Sequence, residues 1–254
     1  MLERLYASLL WHASGHRGVA WQLPTSERLR IDPRCRWIRH PGYEAPVVDY
    51  LRSRIRPNQC CLDAGAHVGF YALQMAIWTA PAGRVVAFEP NPTARSVLQR
   101  NVVLNDLSSR VTIDASAVGS ASGFATLYDA ENASGLSRLR APNPASRGDG
   151  AQVTVPIVVL DEYCRSHSLR PDWLLIDVEG AELDALLGAR ELLANRALGV
   201  VVEVHEDLWS SFGATREKFS ALVADAGRTI VPLTGQADAL AQYGTVALVT
   251  SPAA

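Results

Sequence analysis

The sequence predicts an α/β fold, a doubly wound and mostly parallel sheet closed at one edge by an antiparallel hairpin. Three observations carry this expectation. From residue 59 onward, short apolar runs alternate with stretches of helical apolar spacing, as successive βαβ units do. The first run ends in a glycine-bearing turn, Asp63-x-Gly65-x-x-x-Gly69, and the second ends in an acidic residue, Glu89. The 254 residues, 48% hydrophobic and 20% charged, are enough to bury a large core and are not the composition of a disordered chain.

In chain order, Leu2 to Trp11 has helical apolar spacing, and Val19 to Ile31 alternates as a hairpin turning at Pro24-Thr25-Ser26. These segments, with three of the six tryptophans in the first forty residues (Trp11, Trp21, Trp37), read as a cap over residues 1–42 on a larger domain, 43–254. Gln59 to Leu62 reads as the first sheet strand, Phe70 to Trp78 as a helix stopped by Pro81-Ala82-Gly83, and Arg84 to Phe88 as the second strand. Glu89-Pro90-Asn91-Pro92 opens a helix to about Asn105, since proline loses nothing in a first turn. Val111 to Asp114, Leu174 to Asp177 and Val200 to Val204 read as further strands, with a helix over Ala181 to Leu193 between the last two. Ala130 to Gly150, rich in Asn, Ser, Gly, Pro and Arg, reads as a long surface loop able to close over a substrate. Thr229 to Pro232 and Thr245 to Thr250 form the closing strand pair.

A net charge of −2 offers no basic field for a nucleic-acid backbone. No apolar run approaches the ~20 residues needed to span a bilayer, and the charges at Glu3 and Arg4 interrupt what would be a signal peptide's apolar region. A cytoplasmic protein is expected. Cys35, Cys60, Cys61 and Cys164 lack zinc-ligand spacing and read as buried free thiols.

Ligands of open α/β sheets bind beyond the carboxyl ends of the strands, where strand order reverses. The glycine turn therefore marks a cofactor site, and Glu89, 26 residues after Asp63, is placed to accept both hydroxyls of a ribose. His67 stands where a Gly-x-Gly-x-x-Gly pyrophosphate turn has glycine, which disfavours a nicotinamide-dependent dehydrogenase. In the turn itself, His67 reads as a spacer presenting its backbone N–H, and Gly69 as the residue that lets the following helix pack against the strand.

Several blocks resemble the FkbM family of S-adenosylmethionine-dependent methyltransferases. They are Asp63-Ala64-Gly65-Ala66-His67-Val68-Gly69-Phe70-Tyr71, then Phe88-Glu89-Pro90-Asn91-Pro92 with Leu98, Asn101 and Asn105, then Leu160-Asp161-Glu162. Ile176-Asp177-Val178-Glu179-Gly180-Ala181-Glu182, the most specific block, and Glu203-Val204-His205 follow, and Tyr43-Glu44 precedes them all. Where many members carry lysine just before the Ile-Asp, this chain has Leu175. The resemblance implies a class I, Rossmann-like methyltransferase fold and S-adenosylmethionine as cofactor. It implies methyl transfer to a hydroxyl of a small molecule, natural product or carbohydrate. On it, Asp63, Gly65 and Ala66 line the methionine part of the cofactor, Glu89 with Asn91 beyond it the ribose, Ser116 and Ala117 the adenine, and Glu44 the methionine amine.

An alcohol is a poor nucleophile, so a base at the strand ends is expected among Asp177, Glu203 and His205. Glu179 also reads as a helix cap. The same three residues offer a divalent cation a site of the kind that catechol-type O-methyltransferases use for magnesium. The metal-free route is the expectation, because histidine is a poor magnesium ligand and the acids are split between two strand ends. A methyltransferase-like scaffold without turnover is the alternative from a different class.

Overall fold

The computed structural model describes residues 2–23, 27–40, 42–128 and 152–251. The expected turn at Pro24-Thr25-Ser26 and the expected loop from Ala130 to Gly150 lie outside them. The chain begins with α1 (Leu2–Ala13), a hairpin of β1 (Val19–Gln22) and β2 (Arg28–Ile31), and a 3-10 helix over Pro33–Arg39. There follow α2 (Ala45–Arg52), β3 (Cys60–Ala64), α3 (Phe70–Trp78), β4 (Arg84–Phe88), α4 (Pro92–Leu104) and β5 (Val111–Asp114). A small sheet of β6 (Ala117–Val118), β7 (Gly123–Leu127) and β8 (Val153–Val158) comes next. The chain continues with α5 (Leu160–Ser166), β9 (Trp173–Ile176), α6 (Glu182–Leu187), α7 (Arg190–Ala194), β10 (Gly199–Val204), α8 (Glu206–Phe212), α9 (Arg216–Asp225), β11 (Arg228–Pro232) and β12 (Gly244–Thr250).

The main sheet runs β11-β12-β10-β9-β3-β4-β5. Its five strands from β10 to β5 are parallel, and β12 pairs antiparallel with both β10 and β11, which gives the expected closing hairpin. From β3 the chain first winds outward through β4 and β5, then returns to the other side of β3 with β9 and β10. The order therefore reverses between β3 and β9, and a crevice opens there at the carboxyl ends. Strands buried on both faces read as unbroken apolar runs, and all four residues of β9 are buried. One face carries Val68, Leu73, Val97 and Leu98 with the cap residues Trp21, Leu29, Ile31 and Ile38. The other carries Leu160, Leu186, Leu193, Trp209 and Phe219. Leu175, where many relatives carry lysine, lies in the first of these clusters and is buried.

Two expectations are corrected. The helix expected over Ala181 to Leu193 is broken into α6 and α7, because a Cβ at Gly188 would stand 2.1 Å from the Gly119 carbonyl oxygen, so the chain turns there against the β6–β7 connection. Asp161 then starts α7 from outside, its carboxylate accepting from the N–H groups of Glu191 and Leu192 at 2.8 and 3.0 Å. Gly69 was expected to let its helix pack against the strand. Its requirement lies elsewhere, in a φ of +94° and in the side chain of Leu98 on α4, 2.6 Å from where a Cβ would sit.

Asn101 of α4 and Asn105 just past its end tie the N-terminal segment to the rest of the fold. Asn105 treats β2 as a neighbouring strand would, accepting from Arg30 N at 2.8 Å and donating to Arg30 O at 2.7 Å. Asn101, fully buried, accepts from Asp32 N at 2.7 Å and donates to Val68 O at 2.8 Å, so it joins the cap to the glycine turn. Among the described residues no helix is long and apolar enough to cross a membrane. Cys35, Cys60, Cys61 and Cys164 are unpaired, and all but Cys60 are fully buried. Replacing Asn101 by alanine orphans one buried donor and one buried acceptor, each costing about 1–3 kcal/mol. Chemical denaturation of Asn101→Ala is expected to show that loss with little change in the denaturant slope.

Candidate functional site

The site is built where the turns after β3 and β9 touch. Asp177 N donates to Ala64 O at 2.9 Å, continuing the β3–β9 pairing past the strand ends. A Cβ on Gly65 would stand 1.7 Å from the Asp177 carbonyl oxygen, and its φ is +89°. Glycine is therefore dictated at 65 by the close approach of two backbones. Gly65 and Ala66 both donate to Phe88 O, at 2.9 and 3.0 Å, which lays the turn over the end of β4.

Glu89 is clamped by that turn. Its Oε2 accepts from His67 N and its Oε1 from Asn91 N, both at 2.7 Å. Each carboxylate oxygen keeps acceptor capacity toward the cavity it lines with Gly65, Asn91, Ser116, Ala117 and Asp177. Burial pushes the Glu89 carboxyl up to about 7, against the two N–H groups that favour its charge. His67 is thus the spacer its sequence position suggests, held at a φ of +52°. Asn91 uses its side chain to cap α4, accepting from Thr93 N and Ala94 N, and faces the cavity from that position. Ser116 N is held by Asp114 Oδ1 at 2.9 Å.

Asp63 and Ala66 are not among the residues that line this cavity. Asp63 is fully buried behind the turn, and neither of its oxygens closes a hydrogen bond, although the Ala72 N–H faces it. Burial and then the Glu89 charge hold the Asp63 carboxyl up at about 7. Because the backbone donors sit at Glu89, the negative charge of this pair belongs there.

Beyond Asp177 the crevice becomes a well of carboxylates and phenols. Glu203, at the end of β10, accepts a hydrogen bond from the Tyr243 hydroxyl. Glu44 begins α2 with a φ of +52° and accepts from the Tyr71 hydroxyl at 3.3 Å. Burial and then Glu203 raise the Glu44 carboxyl above its ordinary value. Asp177, 29% exposed at its side chain yet deep among protein atoms, is pushed well up by burial and then by Glu203 and Glu179. The phenol of Tyr43 is raised by burial and by Glu44, Glu203 and Asp177, which places its ring beside the same acids.

His205 stands at the centre. Its Nδ1 is 2.8 Å from Glu182 Oε1, and its Nε2 is 3.8 Å from both Asp177 Oδ1 and Glu179 Oε2. Glu182 is fully buried and immobilised by Gly180 N at 2.8 Å and Trp209 Nε1 at 2.6 Å. Burial alone would lower the imidazole's pKa, but Glu182, then Glu179 and Glu203, raise it above the ordinary value. The carboxylate that ties the turn before α6 is therefore Glu182. Glu179, expected as a cap, sits in left-handed backbone with its carboxylate toward His205. Sequence reasoning missed Glu182 as the partner of His205, and it missed the three phenols. Only the placement of Glu182 five residues after Asp177 hinted at it.

Residues 63–227 match the family described as Methyltransferase FkbM domain. The chain is 32% identical over 204 residues to Methyltransferase sdnD of Sordaria araneosa, covering 70% of this chain and 76% of that protein. It is 30% identical over 245 residues to AMB antimetabolite synthetase AmbE of Pseudomonas aeruginosa, covering 82% of this chain but 11% of that much longer protein. Among solved structures, a methyltransferase FkbM from Methylobacillus flagellatus KT aligns over 79% of this chain and 50% of its own, with a TM-score of 0.48 at 16% identity. An O-methyltransferase from Bacillus cereus in complex with SAH aligns over 83% and 81%, with a TM-score of 0.49 at 13% identity. The fold is that of a class I methyltransferase, and the chain belongs to the FkbM methyltransferase family.

Proposed function

We propose that the protein is an S-adenosylmethionine-dependent O-methyltransferase acting on a hydroxyl of a small molecule, natural product or carbohydrate. The observation that carries this reading is the Glu89 carboxylate, clamped at both oxygens and lining a cavity that leads to Asp177. Such a carboxylate fits a ribose diol, and Ser116, Ala117 and Val118 offer a narrow wall of small or apolar residues for a purine ring. Gly65 brings its bare backbone to the cavity, and Glu44, outside the residues that line it but beside Glu203, supplies a carboxylate for an amine. When bound, the cofactor supplies a methyl group made electrophilic by a sulfonium.

The chain's own residues then have three tasks. They hold the acceptor oxygen in line, which alone accounts for much of the rate of such displacements. Asp177, Glu203 and His205 receive the hydroxyl and take up its proton. Trp37 and Tyr43, 40% and 36% exposed although aromatic, offer the acceptor an apolar corner. Their rings meet edge to face at 5.3 Å, and Trp37 leans on His67 at the cavity's edge, 5.8 Å between centroids. A corner of this kind suits a sugar ring or a cyclic natural product.

Calorimetry tests the reading. S-adenosylmethionine and its demethylated product are expected to bind in the micromolar range, with no heat from NAD. Binding of NAD alone would overturn it. Binding of the cofactor with no methylated product from hydroxyl-bearing acceptors would favour a scaffold. Glu89→Ala is expected to weaken cofactor binding by about 1–3 kcal/mol, since it strands the ribose hydroxyls and two backbone donors. The ionised carboxyl is the form that accepts the ribose hydroxyls. With its pKa raised to about 7, cofactor affinity should be weak at pH 5.5, rise through neutrality and level off by pH 8.5. An affinity flat across that range would contradict the assignment.

A further inference from the structure

We propose that Asp177, Glu203 and His205 form a binding site for a divalent first-row transition-metal ion, of the manganese, iron, cobalt or zinc class rather than magnesium. The proposal rests on the reading above only for the use made of the ion, and the site stands on its own geometry.

The first argument is distance. One donor atom from each of the three residues lies within 4.8 Å of the others. In the sequence the acids are divided between two strand ends, which argued against a metal. In the fold β9 and β10 are hydrogen-bonded neighbours, so those ends adjoin. Nitrogen and oxygen donors bind such ions at about 2.0–2.2 Å, so two donors on one ion stand at most about 4.4 Å apart. Side-chain rotations of a few tenths of an ångström close the remaining gap.

The second argument is the state of His205. Its side chain is 9% exposed, and Nε2 makes no hydrogen bond although it points at two carboxylates 3.8 Å away. That nitrogen opens to the crevice, too far from the acids for a hydrogen bond and well placed for a cation shared with them. The opposite ring nitrogen is held by the buried carboxylate of Glu182, itself fixed by Trp209 Nε1 and Gly180 N. A metal-ligating histidine almost always donates its other ring N–H to a carboxylate, a backbone carbonyl or a water, and such a partner fixes its tautomer and aims its free nitrogen.

The third argument is charge. Asp177 and Glu203 form no ion pair with lysine or arginine among the described residues, and Glu44 adds its carboxylate to the same well. A dication would answer this surplus. One imidazole with two carboxylates is a donor set that suits transition ions, whereas magnesium prefers oxygen donors and water throughout. Bound there, the ion would supply Lewis-acid polarisation of a hydroxyl at the mouth of the cofactor cavity.

The test uses the full chain stripped with chelator and titrated with Co²⁺, read by visible d–d absorption, with Mn²⁺ as a second probe by electron paramagnetic resonance. One Co²⁺ per chain with resolved visible bands is expected. His205→Ala and Glu203→Gln should each weaken binding at least tenfold, and Glu182→Gln by about 10–100-fold with altered bands. Circular dichroism and binding of S-adenosylhomocysteine, measured on the same samples, report whether each variant is folded. Absence of Co²⁺ bands in the folded parent protein, or bands unchanged in folded His205→Ala, would overturn the site. Should S-adenosylhomocysteine bind while Co²⁺ does not, the metal site falls and the methyltransferase reading stands. The reverse result would keep the site and remove its proposed use.

Discussion

The site depends on one contact between two backbones, the approach of Gly65 to the carbonyl of Asp177. It exists because the strand order reverses between β3 and β9, so the turns leaving these strands diverge above a shared floor. Ala64 and Asp177 remain hydrogen-bonded across that floor. The 1.7 Å that would separate an added Cβ from the carbonyl oxygen leaves no side chain but glycine's. From this contact the glycine turn folds toward β4, brings His67 N to Glu89, and fixes one wall of the cavity. Asp177 is fixed on the opposite side by the same contact. The separation between the backbones that carry Glu89 and Asp177 is thus set by the sheet.

Around that frame the protein concentrates buried acids. Asp63 and Glu89 share the space behind the turn, and the backbone donors decide which of them carries charge. Asp177, Glu203, Glu44 and Glu179 surround His205 more openly, with the phenols of Tyr43, Tyr71 and Tyr243 between them. Close carboxylates in a partly dry crevice repel one another, and each such charge costs free energy unless a proton or a cation answers it. At the base, Glu182 is hydrogen-bonded to Gly180, Trp209 and His205. That carboxylate holds the imidazole in one orientation.

Much of this was legible from residues alone, for identifiable reasons. β4 and β5 fall where the apolar runs place them, and α3 where the helical spacing places it, because buried parallel strands and their crossover helices leave plain periodicities. The reading of His67 as a spacer that presents its backbone N–H follows from local spacing and matches its bond to Glu89, whereas Asp63 and Ala66 do not reach the cavity that the turn lines. What escaped is what depends on contacts between distant elements. The break after Leu187 comes from the β6–β7 connection pressing on Gly188, a neighbour that helix periodicity cannot reveal. The exchange of roles between Glu179 and Glu182 depends on a left-handed residue at 179 and on Trp209 reaching back from α8. Tyr243, on the far side of the closing hairpin, carried no motif at all. Asn101 and Asn105 were visible as part of a pattern, while their hold on β2 and the residue after it was not.

The most direct test of the account is a crystal structure with S-adenosylhomocysteine bound. The account predicts the ribose hydroxyls within hydrogen-bonding distance of both Glu89 carboxylate oxygens, the adenine against Ser116 and Ala117, and the sulfur directed toward Asp177. A product molecule seated elsewhere, or one in this cavity with its ribose turned away from Glu89, would contradict it.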